Sequence, residues 1–109
     1  MKIAINGFGR IGRILFRILN EQTKYQIVAI NDLASPKVLS HLLKYDSIHG
    51  RYHREVRYLD NAILVDDKKI VTLNITETKE LPWRDLGVDI VFECTGLIKN
   101  FKSNYDHIN

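Results

Sequence analysis

The sequence predicts an α/β architecture, a mostly parallel sheet covered by helices, and three observations carry that expectation. Two short runs, "KIAIN" at 2–6 and "YQIVAIN" at 25–31, have the unbroken apolar character of strands buried on both faces. Each is followed by a stretch whose apolar residues recur at helical spacing. A further apolar run, "VDIVFECTG" at 88–96, returns to the strand pattern. Strands alternating with helices imply parallel pairing through crossover connections.

The elements follow in order. Ile11, Ile14, Leu15, Ile18 and Leu19 recur three and one apart, the stripe of an amphipathic helix, which puts Arg10, Arg13 and Arg17 on the opposite, wet side. "SPKVLSHLLKYD" opens a second helix, with Ser35 as N-cap, Pro36 at the first helical position, and Val38, Leu39, Leu42 and Leu43 as its stripe. "DSIHG" at 46–50 reads as the loop leaving that helix. Residues 51–75 change character: "RYHREVRYL", "AILVDDKK" and "KKIVTLNIT" are β-rich segments with a turn at Asp66-Asp67, an antiparallel insert. "LPWRDLG" holds a turn or short helix, the 88–96 strand follows, and "IKNFKSNYDHIN" reads as a helix that stops in mid-pattern. A length of 109 residues suits one domain, and no repeat, low-complexity tract or Gly/Ser linker divides it.

Bulk properties narrow the function classes. No stretch approaches the apolar length of a membrane span, and the N-terminal apolar run breaks at Asn6, too early for a secretory signal. A cytoplasmic protein with no membrane partner is expected. The 16 basic residues are interspersed with 13 acids without a block of like charge, which argues against a nucleic-acid partner despite the net charge of +3. Cys94, the one cysteine, cannot form an internal disulfide and lies inside a strand, where a thiol behaves as a small hydrophobe. His41, His49, His53 and His107 make no metal set, since "HGRYH" reads as loop into strand and not as one helix face. No pair of acids sits where burial would raise a pKa. Neither a metal site nor a catalytic residue is expected within the chain.

The stretch that carries chemistry is "INGFGRIGR" at 5–13, where Gly7, Gly9 and Gly12 fit G-x-G-x-x-G. Gly7 would turn the chain out of the strand, Gly9 would let the backbone approach a diphosphate, and Gly12 would let the helix pack on the sheet. The free N–H groups and positive dipole end of the helix would face that diphosphate. A tight turn followed by a helix cap at Asn31-Asp32 is the competing reading. Against it stand the preceding strand, the following helix and an acid at the end of the second strand. That acid, Asp32, lies 20 positions beyond Gly12, where a carboxylate accepts from ribose hydroxyls. The same charge would repel a 2′-phosphate, which favours NAD over NADP.

Together "INGFGRIGR", "AINDL", "LLKYDSIHGRY", "LPW" and "GVDIVFECTG", in this order, resemble the N-terminal half of the NAD-binding domain of glyceraldehyde-3-phosphate dehydrogenases, over essentially the whole chain. Erythrose-4-phosphate dehydrogenases share these motifs, and Asp32-Leu33 is more similar to the glycolytic enzyme. The resemblance implies a Rossmann-type doubly wound parallel sheet, incomplete here and with an antiparallel insert, that binds NAD. It implies that Gly7, Phe8, Gly9, Arg10, Ile11 and Gly12 surround the adenosine and pyrophosphate and that Asn31 and Asp32 lie at the cofactor, Asp32 on the adenosine ribose. Thr95 and Gly96, at the end of the fourth parallel strand, would face them across the groove. The chain departs from the family at Thr76-Glu77-Thr78, where an Arg-Asp-Pro-like segment is usual, so an adenine contact at Thr76 would use backbone. It departs again at Ile98, where an aromatic is common.

The parent reaction so implied oxidises a phosphorylated aldehyde through a thiohemiacetal, passes hydride to the nicotinamide and releases the acyl group to phosphate, in a homotetramer when full-length. Its cysteine nucleophile belongs to a later segment resembling Ser-Cys-Thr-Thr-Asn, which residues 1–109 do not contain. Residues 1–109 are therefore expected to be the N-terminal portion of the NAD-binding domain, without the catalytic domain and inactive alone. The alternative is a free-standing, non-catalytic NAD-binding module. A sheet ending at the 88–96 strand would leave a bare edge, which favours the truncated domain.

Overall fold

A computed structural model describes residues 1–46, 50–76 and 81–94. Its elements are β1 (Lys2–Asn6), α1 (Arg10–Asn20), β2 (Gln26–Asn31), α2 (Pro36–Lys44), β3 (Tyr45–Asp46), β4 (Gly50–Arg51), β5 (Val56–Leu59), β6 (Ala62–Val65), β7 (Lys68–Leu73) and β8 (Ile90–Glu93). Six of these strands form one sheet in the order β5-β6-β7-β2-β1-β8, and β3 and β4 form a separate two-residue pair. The pairs β7·β2, β2·β1 and β1·β8 are parallel, whereas β5·β6 and β6·β7 are antiparallel. The parallel strands thus stand third-second-first-fourth in chain order, the start of a doubly wound sheet. The expected antiparallel insert is present, and its last strand, β7, is itself the third parallel strand.

The turn between β6 and β7 has Asp66 at φ 49° and Asp67 at φ 68°, the left-handed pair that a two-residue hairpin needs to match strand twist. The Asp66 side chain helps to hold it there, accepting the Glu55 N–H at 3.0 Å and pairing with Arg54 at 3.0 Å.

The two faces of the sheet are covered differently. Ile3 and Ile5 face the helices with Phe16, Leu19, Ile27, Ile30, Leu39 and Leu43, while Ala4 and Ala29 face Trp83 on the other side. A bulge makes this sorting possible. The β1–β2 register steps from Ile3↔Ile27 to Ala4↔Ala29, leaving Val28 as the extra residue. Strand alternation then resumes with both alanines on one face and Ile5 opposite Ile30 on the other. The small paired alanines leave room for the indole. "LPWRDLG", expected to hold a turn or short helix, is a turn segment over 83–87 that brings Trp83 down onto the sheet.

Ser35 caps α2 as expected, its Oγ accepting the Val38 N–H at 3.3 Å, with Pro36 in the first turn. The buried face of α1 differs from the expected stripe. Gly12, Phe16 and Leu19 are buried, whereas Ile11 and Ile18 are 64% and 55% exposed. The contact of Gly12 with the strand-end turn fixes the rotation of the helix, and the residues four and seven positions on follow it inward. Arg17 is also not on a wet face: its Nη2 donates to the carbonyls of Leu43 at 2.7 Å and Gly50 at 2.8 Å, and its guanidinium lies over the Tyr52 ring. It thereby satisfies a carbonyl in the last turn of α2. Arg13 reaches back to the Phe8 carbonyl at 3.0 Å.

The 88–96 strand is observed as Ile90–Glu93, half-buried and outermost in the sheet among the described residues. The expected helix start after it lies outside the described residues, as do His49 and His107. Among the described residues no helix is long and apolar enough to cross a membrane.

A polar cluster joins the end of α1 to the insert. The buried Tyr52 hydroxyl donates to Glu21 at 3.0 Å and accepts from Asn20 at 3.1 Å, and Arg54 bridges Glu21 and Asp66. The hydrogen-bonded Arg54 holds the Glu21 carboxyl below the usual carboxylate range. Burial first, and the neighbouring carboxylate with it, pushes the Tyr52 hydroxyl up to about 12. An unfolded tyrosine ionises at about pH 10, so the stabilisation from Tyr52 is complete below that pH and is lost as pH rises through the folded value. Urea midpoints at pH 9 and pH 11.5, each roughly within a unit of those limits, test this: the wild type is expected to lose more stability between them than Tyr52→Phe. Equal losses would refute the assignment.

Candidate functional site

The site lies outside the carboxyl ends of β1 and β2, where their chains leave in turns toward α1 and α2. Asn6 and Asn31 sit side by side at these ends, and Glu93 at the end of β8 is in register with Asn6. Beyond them opens a cleft of about 440 Å³ lined by Asn6, Gly7, Gly9, Asn31, Asp32, Leu33, Ile75, Thr76, Leu81 and Cys94. A larger cleft of about 670 Å³ lies between α2 and β5, bordered by Val38, His41, Tyr45 and Tyr58. Size therefore does not locate the site. Convergent backbone groups and a positioned carboxylate do, and these belong to the smaller cleft.

Gly7 turns the chain out of the strand and Gly12 packs the helix on it, as their spacing predicts. Gly7 has φ 91°, in the left-handed region, and its N–H still donates to the Asn31 carbonyl at 2.8 Å, so the chain turns without losing its hold on β2. A Cβ on Gly12 would collide with the Gly7 carbonyl oxygen and touch Cys94. Gly9 is the reverse case: a Cβ there would meet nothing within 4 Å. Its missing side chain answers to no protein neighbour, and the space in front of it opens onto the cleft.

Gly9 is also the N-cap of α1, with no side-chain cap and no acid in the first turn. The positive end of the helix thus has no side-chain cap or acid of its own first turn against it. Arg10 is exposed beside it. The Phe8 ring, by contrast, turns inward against Phe16, edge to face at 5.8 Å, and is buried. The Ile11 side chain projects into solvent from the first turn.

Asp32 is held from three sides. Its N–H donates to the Leu73 carbonyl at 2.9 Å, Oδ2 accepts the Phe8 N–H at 2.7 Å, and Oδ1 accepts the Ala34 N–H at 3.0 Å. One carboxylate thus ties the glycine turn to the β2–α2 turn, and each oxygen keeps a lone pair. This is the acceptor set a ribose requires: two carboxylate oxygens at fixed positions beside an open backbone turn. The residues fit a dinucleotide. Asn31, only 5% exposed, lies beneath, with its side chain engaged by Asn6 and Ile75.

Thr76 lines the cleft and is exposed. Thr95 and Gly96 lie outside the described residues. Cys94, just before them, is half-buried and donates its N–H to the Asn6 carbonyl at 2.7 Å. Burial and the adjacent Glu93 push its thiol up, so it stays protonated and unactivated at neutral pH. Sequence reasoning did not single out Asn6, Ile75 and Leu81 as walls of the cleft. Of these only Asn6 carried a signal, as the polar residue that breaks the first apolar run.

Residues 1–101 match the family described as "Glyceraldehyde 3-phosphate dehydrogenase, NAD binding domain". The chain is 48% identical over 101 residues to glyceraldehyde-3-phosphate dehydrogenase of Thermotoga maritima, covering 91% of this chain and 30% of that protein. It is 50% identical over 113 residues to the Borreliella burgdorferi protein of the same name, covering all of this chain and 33% of that one. A Bacillus subtilis relative, glyceraldehyde-3-phosphate dehydrogenase 2, is 50% identical over 96 residues, 88% of this chain and 28% of its own length. The chain thus spans about a third of the length of these relatives. It belongs to the NAD-binding domain family of glyceraldehyde-3-phosphate dehydrogenases, and NAD is the cofactor of that domain.

The glycine geometry separates two effects of adding one methyl group. Gly12→Ala is expected to lower stability by about 1–3 kcal/mol, the usual cost of overpacking, because backbone stands in the way. Gly9→Ala is expected to change stability by no more than about 1 kcal/mol. Thermal unfolding of the two variants checks this, and equal losses would mean that the cleft side of Gly9 is packed.

Proposed function

We propose that this chain is the N-terminal portion of the NAD-binding domain of a cytoplasmic, phosphorylating glyceraldehyde-3-phosphate dehydrogenase. The observation that carries this reading is the Asp32 carboxylate, locked between the Phe8 and Ala34 N–H groups at the edge of an open glycine turn. In this reading the backbone of Gly7, Phe8, Gly9 and Gly12, with the N–H groups of Arg10 and Ile11, surrounds the pyrophosphate at the start of α1. Asp32 accepts the two adenosine ribose hydroxyls and repels a 2′-phosphate. The backbone at Thr76 meets the adenine, and Thr95 and Gly96 close the groove from the β8 side. Asn31 contributes from below.

When bound, NAD supplies the hydride acceptor. The part of residues 1–109 is capture and orientation: the helix end neutralises diphosphate charge, and Asp32 fixes the ribose. Cys94 takes no part, since its thiol is held protonated. The nucleophile, the phosphorylated aldehyde site and the homotetramer contacts belong, on this reading, to the remaining two-thirds found in the relatives. Their shared name supports the glycolytic triose substrate over its four-carbon analogue.

Asp32→Asn in the full-length protein tests the assignment. One oxygen becomes an amide donor facing ribose hydroxyls and a backbone N–H. NAD affinity is expected to fall about tenfold, or ~1.4 kcal/mol, with a smaller loss for NADP, so that discrimination narrows. Titration of both cofactors by calorimetry reads the two constants. Unchanged affinity for both would remove Asp32 from the site.

A further inference from the structure

The side chains of Asn6 and Asn31 make one hydrogen-bonded chain across the carboxyl ends of the parallel strands. Its orientation is fixed at one end. The Ile75 N–H, which can only donate, lies 3.0 Å from Asn31 Oδ1. Asn31 Nδ2 therefore faces the other way, and both of its hydrogens are committed, to Asn6 Oδ1 at 2.8 Å and to the Ile75 carbonyl at 2.9 Å. Asn6 Nδ2 in turn donates to Glu93 at 2.9 Å. No side-chain donor of Asn31 remains for a bound molecule, although the residue sits at the floor of the cleft.

What Asn31 holds is specific. It grips both main-chain polar groups of Ile75, as a neighbouring strand would. Backbone pairing between β2 and β7 ends at Asn31↔Leu73, two residues earlier, so that ladder does not reach the chain at Ile75. Ile75 and Thr76 line the cleft just after β7, on the far side of β2 from β1 and the Gly7 turn that follows it. We propose that Asn31 is a positioning residue: its side-chain amide extends the ladder by one step, sets the Ile75–Thr76 wall on the adenine side, and makes no side-chain contact with the cofactor. The proposal rests on reading the cleft as the NAD site.

Hydrogen exchange in the full-length protein, with NAD titration, tests it. In the ligand-free wild type the Ile75 amide is expected to be protected. In Asn31→Ala its exchange is expected to rise about tenfold or more, with the amides of Ile5 and Ala29 in the sheet unchanged. NAD affinity is expected to weaken about tenfold, and saturating NAD is expected to restore Ile75 protection in the variant, because binding then orders the wall. A purely structural role would speed exchange throughout the sheet and show no such recovery.

Unprotected Ile75 in the ligand-free wild type would overturn the grip, whether or not any variant folds. A loosened Ile75 with unchanged NAD affinity would overturn the positioning role and leave the cofactor site standing. A wild type that protects Ile75 yet binds no NAD would overturn the reading of the cleft, and this proposal with it.

Discussion

The rest of the structure depends on how closely α1 approaches the end of β1. The Gly7 carbonyl oxygen occupies the place where a side chain at position 12 would begin, so the first turn of the helix rests directly on backbone. That contact sets the rotation of α1, which turns Phe16 and Leu19 into the core and leaves Ile11 and Ile18 outside. It carries Arg17 to the last turn of α2, where the guanidinium joins the two helices. It also points the uncapped start of α1 into the cleft. A hydrophobic stripe allows several helix rotations, and one backbone contact selects among them.

A second constraint concerns polar groups at a sheet end. The strands bury Ile3, Ala4 and Ile5 completely, yet their carboxyl ends open onto a cleft, and unsatisfied polar atoms there would be costly. Asn6 and Asn31 resolve the conflict by pairing with each other and with main chain. Asp32 does the same one residue further out, using both oxygens to brace the turns on either side. Residues that line the cleft are thus braced before any ligand arrives. Such preorganisation lowers the ordering cost of binding.

The covering of the sheet is asymmetric for a reason visible in the strands. Large aliphatic residues meet the helices, whereas the opposite face meets one indole over two alanines. The bulge at Val28 keeps these populations apart, since without it Ala29 would share a face with Ile27.

Local chemistry made much of this legible. Strands β1 and β2, the Ser35-Pro36 start of α2, the Asp66-Asp67 turn and the tasks of Gly7 and Gly12 follow from periodicity, capping and backbone sterics, which act within a few residues. The acid at Asp32 was legible as well, because its distance from the glycines is a property of the strand–helix–strand unit. Other features were not legible. The inward turn of Phe8, the engagement of Arg17, the place of β7 beside β2 and the grip of Asn31 on Ile75 all join residues far apart in the chain. Hydrophobic spacing states that a helix has a buried face but not what that face meets, and an asparagine at a strand end reads the same whether it binds a ligand or a neighbouring strand. The sequence by itself determined the kind of most described elements and the turn out of the first strand. Tertiary structure alone decided rotation, strand order and polar pairing, because those depend on which distant groups fill the space and satisfy the hydrogen bonds.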